Sequence, residues 1–160
     1  MGLFDALKSK PYEDPQLGLL ARSRGRWKGS ITLPGGGVVA LLLAGGRARP
    51  DERAMLLARE LPRHYPGLRT EIARRLFEHY EPYREAIASG EPVAGGAPPP
   101  EIQAPGEVWP HTQLERVLIE PVGGVLTVEI AYRIAWDEEH TVGAWIRNWR
   151  VFELCGSVGP

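Results

Sequence analysis

Apolar and polar positions alternate along Val125–Trp136, VLTVEIAYRIAW. Leu126, Val128, Ile130, Tyr132, Ile134 and Trp136 fall on one side, and Thr127, Glu129, Ala131, Arg133 and Ala135 on the other. Period two over this length predicts a half-buried strand. Twelve extended residues are longer than most strands, so a bend or bulge is expected. The same reading gives β-like runs at Leu17–Arg22, Trp27–Leu33, Val38–Ala44, Gln113–Glu120, Thr141–Ile146 and Trp149–Cys155. Pro34-Gly35-Gly36-Gly37 between two such runs predicts a hairpin. It is not a phosphate loop, because no Gly-Lys-Ser/Thr follows.

The period changes to 3.6 in the middle of the chain. Asp51 is placed as a helix N-cap, and Ala54, Leu57, Ala58 and Leu61 form one face of a helix over Glu52–Leu61. Pro62 ends it and Pro66-Gly67 make a turn. A second helix carries the stripe Leu68, Ile72, Leu76, Tyr80, Tyr83 and Ile87, with Pro82 expected to kink or break it near Tyr80. A further helical turn is expected around Leu3–Leu7. Residues 90–110 hold six prolines and four glycines, so they predict an extended Pro/Gly-rich crossover on the surface, pinned by Trp109.

Strands, two helices, strands is an α+β order. It predicts one domain over residues 1–160, an antiparallel sheet of about five to seven strands with both helices on one face. A length of 160 residues fits a single core. No apolar run approaches the roughly 20 residues of a spanning helix, and no secretory leader is expected. The lone Cys155 allows no internal disulfide, and a cytoplasmic location is expected.

Net charge is -1, but the distribution is uneven. Residues 16–50 contain no acid and carry Arg22, Arg24, Arg26, Lys28, Arg47 and Arg49. Residues 101–160 carry nine acids against four arginines. Either the two ends lie side by side and compensate, or the basic stretch is a patch for an acidic partner.

The candidate chemistry is sparse. Asp137-Glu138-Glu139-His140 reads as a polar turn between two strands. A carboxylate there can orient His140 as a general base, or Asp137, Glu139 and His140 can supply part of a metal site. A third ligand would come from His111, Glu153 or Cys155, and a solvated hairpin tip is the plain alternative. Arg22, Arg24, Arg26 and Lys28 alternate, so in one strand they share a face and offer a phosphate or nucleic-acid surface. Trp145 and Trp149, on adjacent strands, either anchor the core or flank one exposed groove. His64 and His79 read as boundary histidines, and Cys155 as a small hydrophobe rather than a nucleophile paired with His140.

Asp14-Pro15 followed by Gly18, Trp27-Lys28-Gly29, the two-helix centre, and above all Trp136-Asp137-Glu138-Glu139-His140-Thr141-Val142-Gly143 resemble an uncharacterised family of small bacterial proteins, a domain of unknown function. The resemblance runs over most of the chain. It implies a bacterial source and a compact α+β fold, and some look-alikes are suspected toxin-immunity or accessory proteins. It implies no catalytic residues. The Pro-rich crossover looks like an addition to the shared pattern.

The sequence therefore reads as a non-enzymatic domain without a cofactor that binds another protein, with self-association as a variant of that reading. No membrane contact is expected. A metal-dependent site at Asp137–His140 and nucleic-acid binding through Arg22–Lys28 are the alternatives.

Overall fold

The computed structural model describes residues 8–91 and 98–156. The turn expected around Leu3–Leu7 and part of the crossover, residues 92–97, lie outside the described residues.

Eight strands form one sheet in chain order. They are β1 (Tyr12–Asp14), β2 (Gly18–Ser23), β3 (Arg26–Leu33), β4 (Gly37–Leu43), β5 (Thr112–Val122), β6 (Val125–Ile134), β7 (Asp137–Arg147) and β8 (Arg150–Gly156). Every neighbouring pair is antiparallel except β4 and β5, which run parallel. A parallel pair cannot be joined by a hairpin, and here the connection contains α1 (Glu52–Ala88) and a 3-10 helix, Pro105–His111. The antiparallel joints are short. Arg24-Gly25 and Asn148-Trp149 adopt positive φ at both turn positions, the two-residue hairpin geometry that matches strand twist.

This architecture corrects the expectation of five to seven antiparallel strands under two helices. The strand missed is the three-residue β1, too short to show a period. The two helices are one, a 37-residue α1 that runs unbroken through Pro62, Pro66 and Pro82. The reason lies in phase. Ala54, Ala58, Leu61, Tyr65, Leu68, Ile72, Leu76 and Tyr80 are all buried, and their spacing of three or four never slips across the prolines. Pro66 and Pro82 are exposed and Pro62 is half-buried. Each interior proline costs about 3 kcal/mol. Burying Met55, Leu61, Tyr65, Leu68, Ile72, Leu76 and Tyr80 contributes about 1.5–3 kcal/mol apiece, which outweighs that cost. Asp51 caps the helix as expected, its side chain accepting from the Ala54 N–H at 2.8 Å.

The strand faces turned to α1 bring Leu20, Trp27, Ile31, Leu41, Val117, Ile119, Val128, Ile130, Val142 and Ile146 into one core. The helix runs alongside β6. Leu56 and Leu57 lie near Val125 and Leu126 at its start, and Tyr83 bonds Asp137 just past its end. Yet α1 also holds both sheet edges, β1 through Arg59–Asp14 and β8 through Glu71–Arg150. A flat sheet of eight strands would be about 34 Å wide. One helix aligned with β6 reaches both edges because the twisted sheet curls around it.

The expected bulge falls beside β6 rather than within it. Glu115 is an extra residue in β5, between the pairs Leu114–Tyr132 and Arg116–Ala131. Glu138, Glu139 and His140 are extra in β7, between the pairs Ile134–Asp137 and Arg133–Thr141. The crossover is docked at its end. Ile102 and Val108 are fully buried, and Tyr80 Oη donates to the Pro100 carbonyl at 2.6 Å.

Candidate functional site

The turn after β6 consists of Ala135 and Trp136, so Asp137–His140 begins β7 instead of forming the hairpin tip. The bulge returns His140 to Asp137, and His140 Nδ1 lies 2.9 Å from Asp137 Oδ1. Tyr83 Oη, from the last turns of α1, donates to Asp137 Oδ2 at 3.0 Å. His79, one turn earlier, accepts from Trp136 Nε1 through Nδ1 at 3.0 Å, which places the proton of its neutral ring on Nε2. Neither His79 nor Tyr83 was joined to this cluster by sequence reasoning. Their i, i+4 spacing, which puts both on one helix face, was the available signal.

The electrostatics follow from this geometry. Burial raises the Asp137 carboxyl pKa, but the hydrogen bonds of His140 and Tyr83 and the nearby imidazoles outweigh burial, and it lies below the usual range. The Asp137 bond and charge raise His140, whose ring is exposed. Burial lowers His79 against the pull of Asp137. Burial and then Asp137 raise Tyr83. A carboxylate-oriented imidazole with its second nitrogen in water can accept or carry a proton. Glu139 is exposed and acts on His140 only as a nearby charge. Among the described residues no group of three His, Cys, Asp or Glu side chains is placed to hold a metal ion. The Cys155 thiol is pushed up to about 11 by burial and by Glu153, so it is not a ready thiolate.

The four basic residues do not share one face. Arg24 occupies the β2–β3 turn. Arg22 pairs with Trp27 across the hairpin, and both side chains donate to the Gly46 carbonyl, at 3.2 and 3.0 Å. Arg26 projects to the other face and binds Glu120 through two hydrogen bonds of 2.9 Å. Lys28 also follows the Arg26 face. Basic and acidic ends of the chain thus meet at one bidentate pair.

The two tryptophans are also on different surfaces. Trp145 faces away from α1, donates to Glu129 Oε2 at 2.7 Å and packs beside Phe152. Glu129 is folded over Gly143, where an added Cβ would come within 2.9 Å of it. Trp149 faces α1 and stacks on His64, with ring centroids 4.0 Å apart and planes 9° apart.

Trp149 closes one end of a groove of about 550 Å³ between the first turns of α1 and the β6–β7 strands. Leu56, Leu57, Val125 and Leu126 line it together with the buried Val128 and Ile146, Arg53 is its charged group on α1, and Arg147 borders it with a guanidinium turned to the other face of the sheet. Leu56 and Val125 are 52% and 49% exposed, high for large apolar side chains that line one groove. No acid lines the groove. Arg147 donates to Thr127 Oγ1 and the Val122 carbonyl and lies over Phe152. Beyond Leu126 the surface continues into another hollow lined by Arg47, Arg49, Asp51 and Glu52, in which Arg49 pairs with Glu52.

Among the described residues no helix is long and apolar enough to cross a membrane. No curated protein and no solved structure matches the chain. A family model does match it over residues 26–159, from the first residue of β3 through α1 and β8. The chain belongs to that family, described as a domain of unknown function, DUF6985.

Proposed function

We propose that the protein is a non-enzymatic binding domain whose groove, beside the start of α1, receives a segment of another protein. The observation that carries this reading is the exposure of Leu56 and Val125 in one groove whose lining is mostly apolar and includes no acid. A partner segment that fits would bury apolar side chains against Leu56, Leu57, Val125 and Leu126 and set a carboxylate toward Arg53. A fixed wall favours this use, because Trp149 is held by its stacking on His64. An immunity-like or accessory role is the biological form of this reading, in keeping with the resemblance noted from the Trp136–Thr141 segment.

The test is co-purification from the native host at native levels. Leu56→Asp and Val125→Asp place a charge on exposed positions and should leave the thermal unfolding midpoint within a few degrees of wild type. Each should weaken capture of the partner at least about tenfold. A partner retained by both variants would show that the groove is not the docking site.

A further inference from the structure

A separate hollow, of about 350 Å³, lies at the β3–β4 hairpin, between it, α1, β5 and β6. Its lining includes Gly35, Tyr65, Arg69, Trp109 and Tyr132, and no Asp or Glu. Tyr65 and Arg69 are one turn apart on α1, so both project into it. Arg69 lies with its guanidinium carbon 4.4 Å from the Trp109 ring centroid. A Cβ at Gly35 would come within 2.5 Å of Arg69 Nη1, so the glycine, at φ +75°, lets the cation sit directly against the hairpin backbone. Arg69 Nε is buried and has no hydrogen-bond partner among the described residues. A guanidinium held on an aromatic face, without a carboxylate, keeps its hydrogen-bonding fork for a ligand.

The tyrosines add a donor. Tyr65 Oη and Tyr132 Oη lie 2.9 Å apart, and both side chains are 1% exposed. Two hydroxyls carry two protons, and the bond between them uses one. The other proton has no acceptor among the contacts these residues make. Burial raises both hydroxyl pKa values, against the lowering by Arg69, so both stay protonated at neutral pH.

We infer that this hollow binds a small carboxylate of single negative charge, through the Arg69 guanidinium and the free hydroxyl proton of the Tyr65–Tyr132 pair. The charge count selects the ligand. One cation with one neutral donor balances a monoanion, and a planar carboxylate matches the guanidinium fork. Inorganic phosphate, a mixture of mono- and dianion at neutral pH, carries more than one charge on average and is tetrahedral, so it matches this pair of donors less well than a planar monoanion. Of the three glycines, Gly35 is the one packed against Arg69, and the loop serves as a hairpin turn, not as a phosphate loop.

Calorimetric titration of the full chain with benzoate, and separately with inorganic phosphate, tests this. The expected result is saturable one-to-one benzoate binding, tighter than phosphate. Arg69→Gln should weaken it at least about tenfold and Tyr65→Phe by a smaller factor, while Arg74→Gln, at an exposed position of the same helix, leaves it unchanged. In wild type, the Arg69 Nε–H resonance should shift with benzoate along the same isotherm, a readout that stands even if a variant misfolds. Absence of saturable benzoate binding, an Arg69 resonance that does not move, or phosphate binding tighter than benzoate would overturn the inference.

Discussion

Asp14 shows how one side chain can fasten an edge strand. It is 2% exposed, its Oδ1 accepts from the backbone N–H groups of Gln16 and Leu17, and its Oδ2 accepts from Arg59 Nε at 3.1 Å and from Nη2. The Arg59 bond, opposed by burial and assisted by the two backbone bonds, lowers its pKa from 3.8 to about 2. A lowered carboxyl pKa contributes stability that is present above the unfolded value and is lost as pH falls through the folded one. The shift corresponds to about 2 kcal/mol, lost between roughly pH 4 and pH 2. Asp14→Asn should therefore cost about 2–3 kcal/mol at pH 7 in denaturant unfolding, and the gap from wild type should shrink in acid. A gap that stays constant down to pH 2 would show that the carboxylate's charge is not what holds β1.

The Asp137 cluster makes a second prediction at this scale. His140 should titrate above the ordinary histidine value and His79 below it, as followed by NMR. Asp137→Asn should lower both, since the carboxylate raises each. His140, raised, favours the fold below pH 6.5 and loses that contribution as pH climbs through its folded pKa. Asp137, lowered, favours the fold above pH 3.8 and loses it as pH falls.

At the scale of elements, α1 decides the architecture. Pro66 is exposed inside a continuous helix, so Pro66→Ala restores a backbone donor and should raise stability by about 1–3 kcal/mol, less the entropy the proline withholds from the unfolded chain. If Pro66-Gly67 formed a turn between two helices, the same change would be neutral or destabilising. The buried stripe was legible in the residues, since Ala54, Ala58 and Leu61 lead in phase to Tyr65 and Leu68. Proline's local cost was given more weight than that phase, and tertiary burial reversed the balance. The longer strands were legible because each alternates against a core. The parallel β4–β5 pair was not, because pairing across a 68-residue connection leaves no trace in local period. The Asp137–His140 cluster was half legible. Its members are adjacent in sequence, but the three-residue bulge that turns His140 back to Asp137, and the arrival of Tyr83 from α1, depend on the assembled sheet.

For the whole molecule, the curl of the sheet around α1 is the feature with functional weight. It leaves the first turns of the helix uncovered on the side of β6 and β7, and Leu56 and Val125 stand exposed there in one groove. Occupation of that groove by another protein is the central claim. The direct measurement is photocrosslinking in the native host, with a photoreactive side chain placed at Leu56, at Val125, or at Leu19, which is 63% exposed on β2 and outside the groove. The expected result is one discrete adduct with a different protein, shared by Leu56 and Val125 and missing at Leu19. No adduct from either groove position, an adduct only with a second copy of the same chain, or the same products from Leu19 would contradict the account.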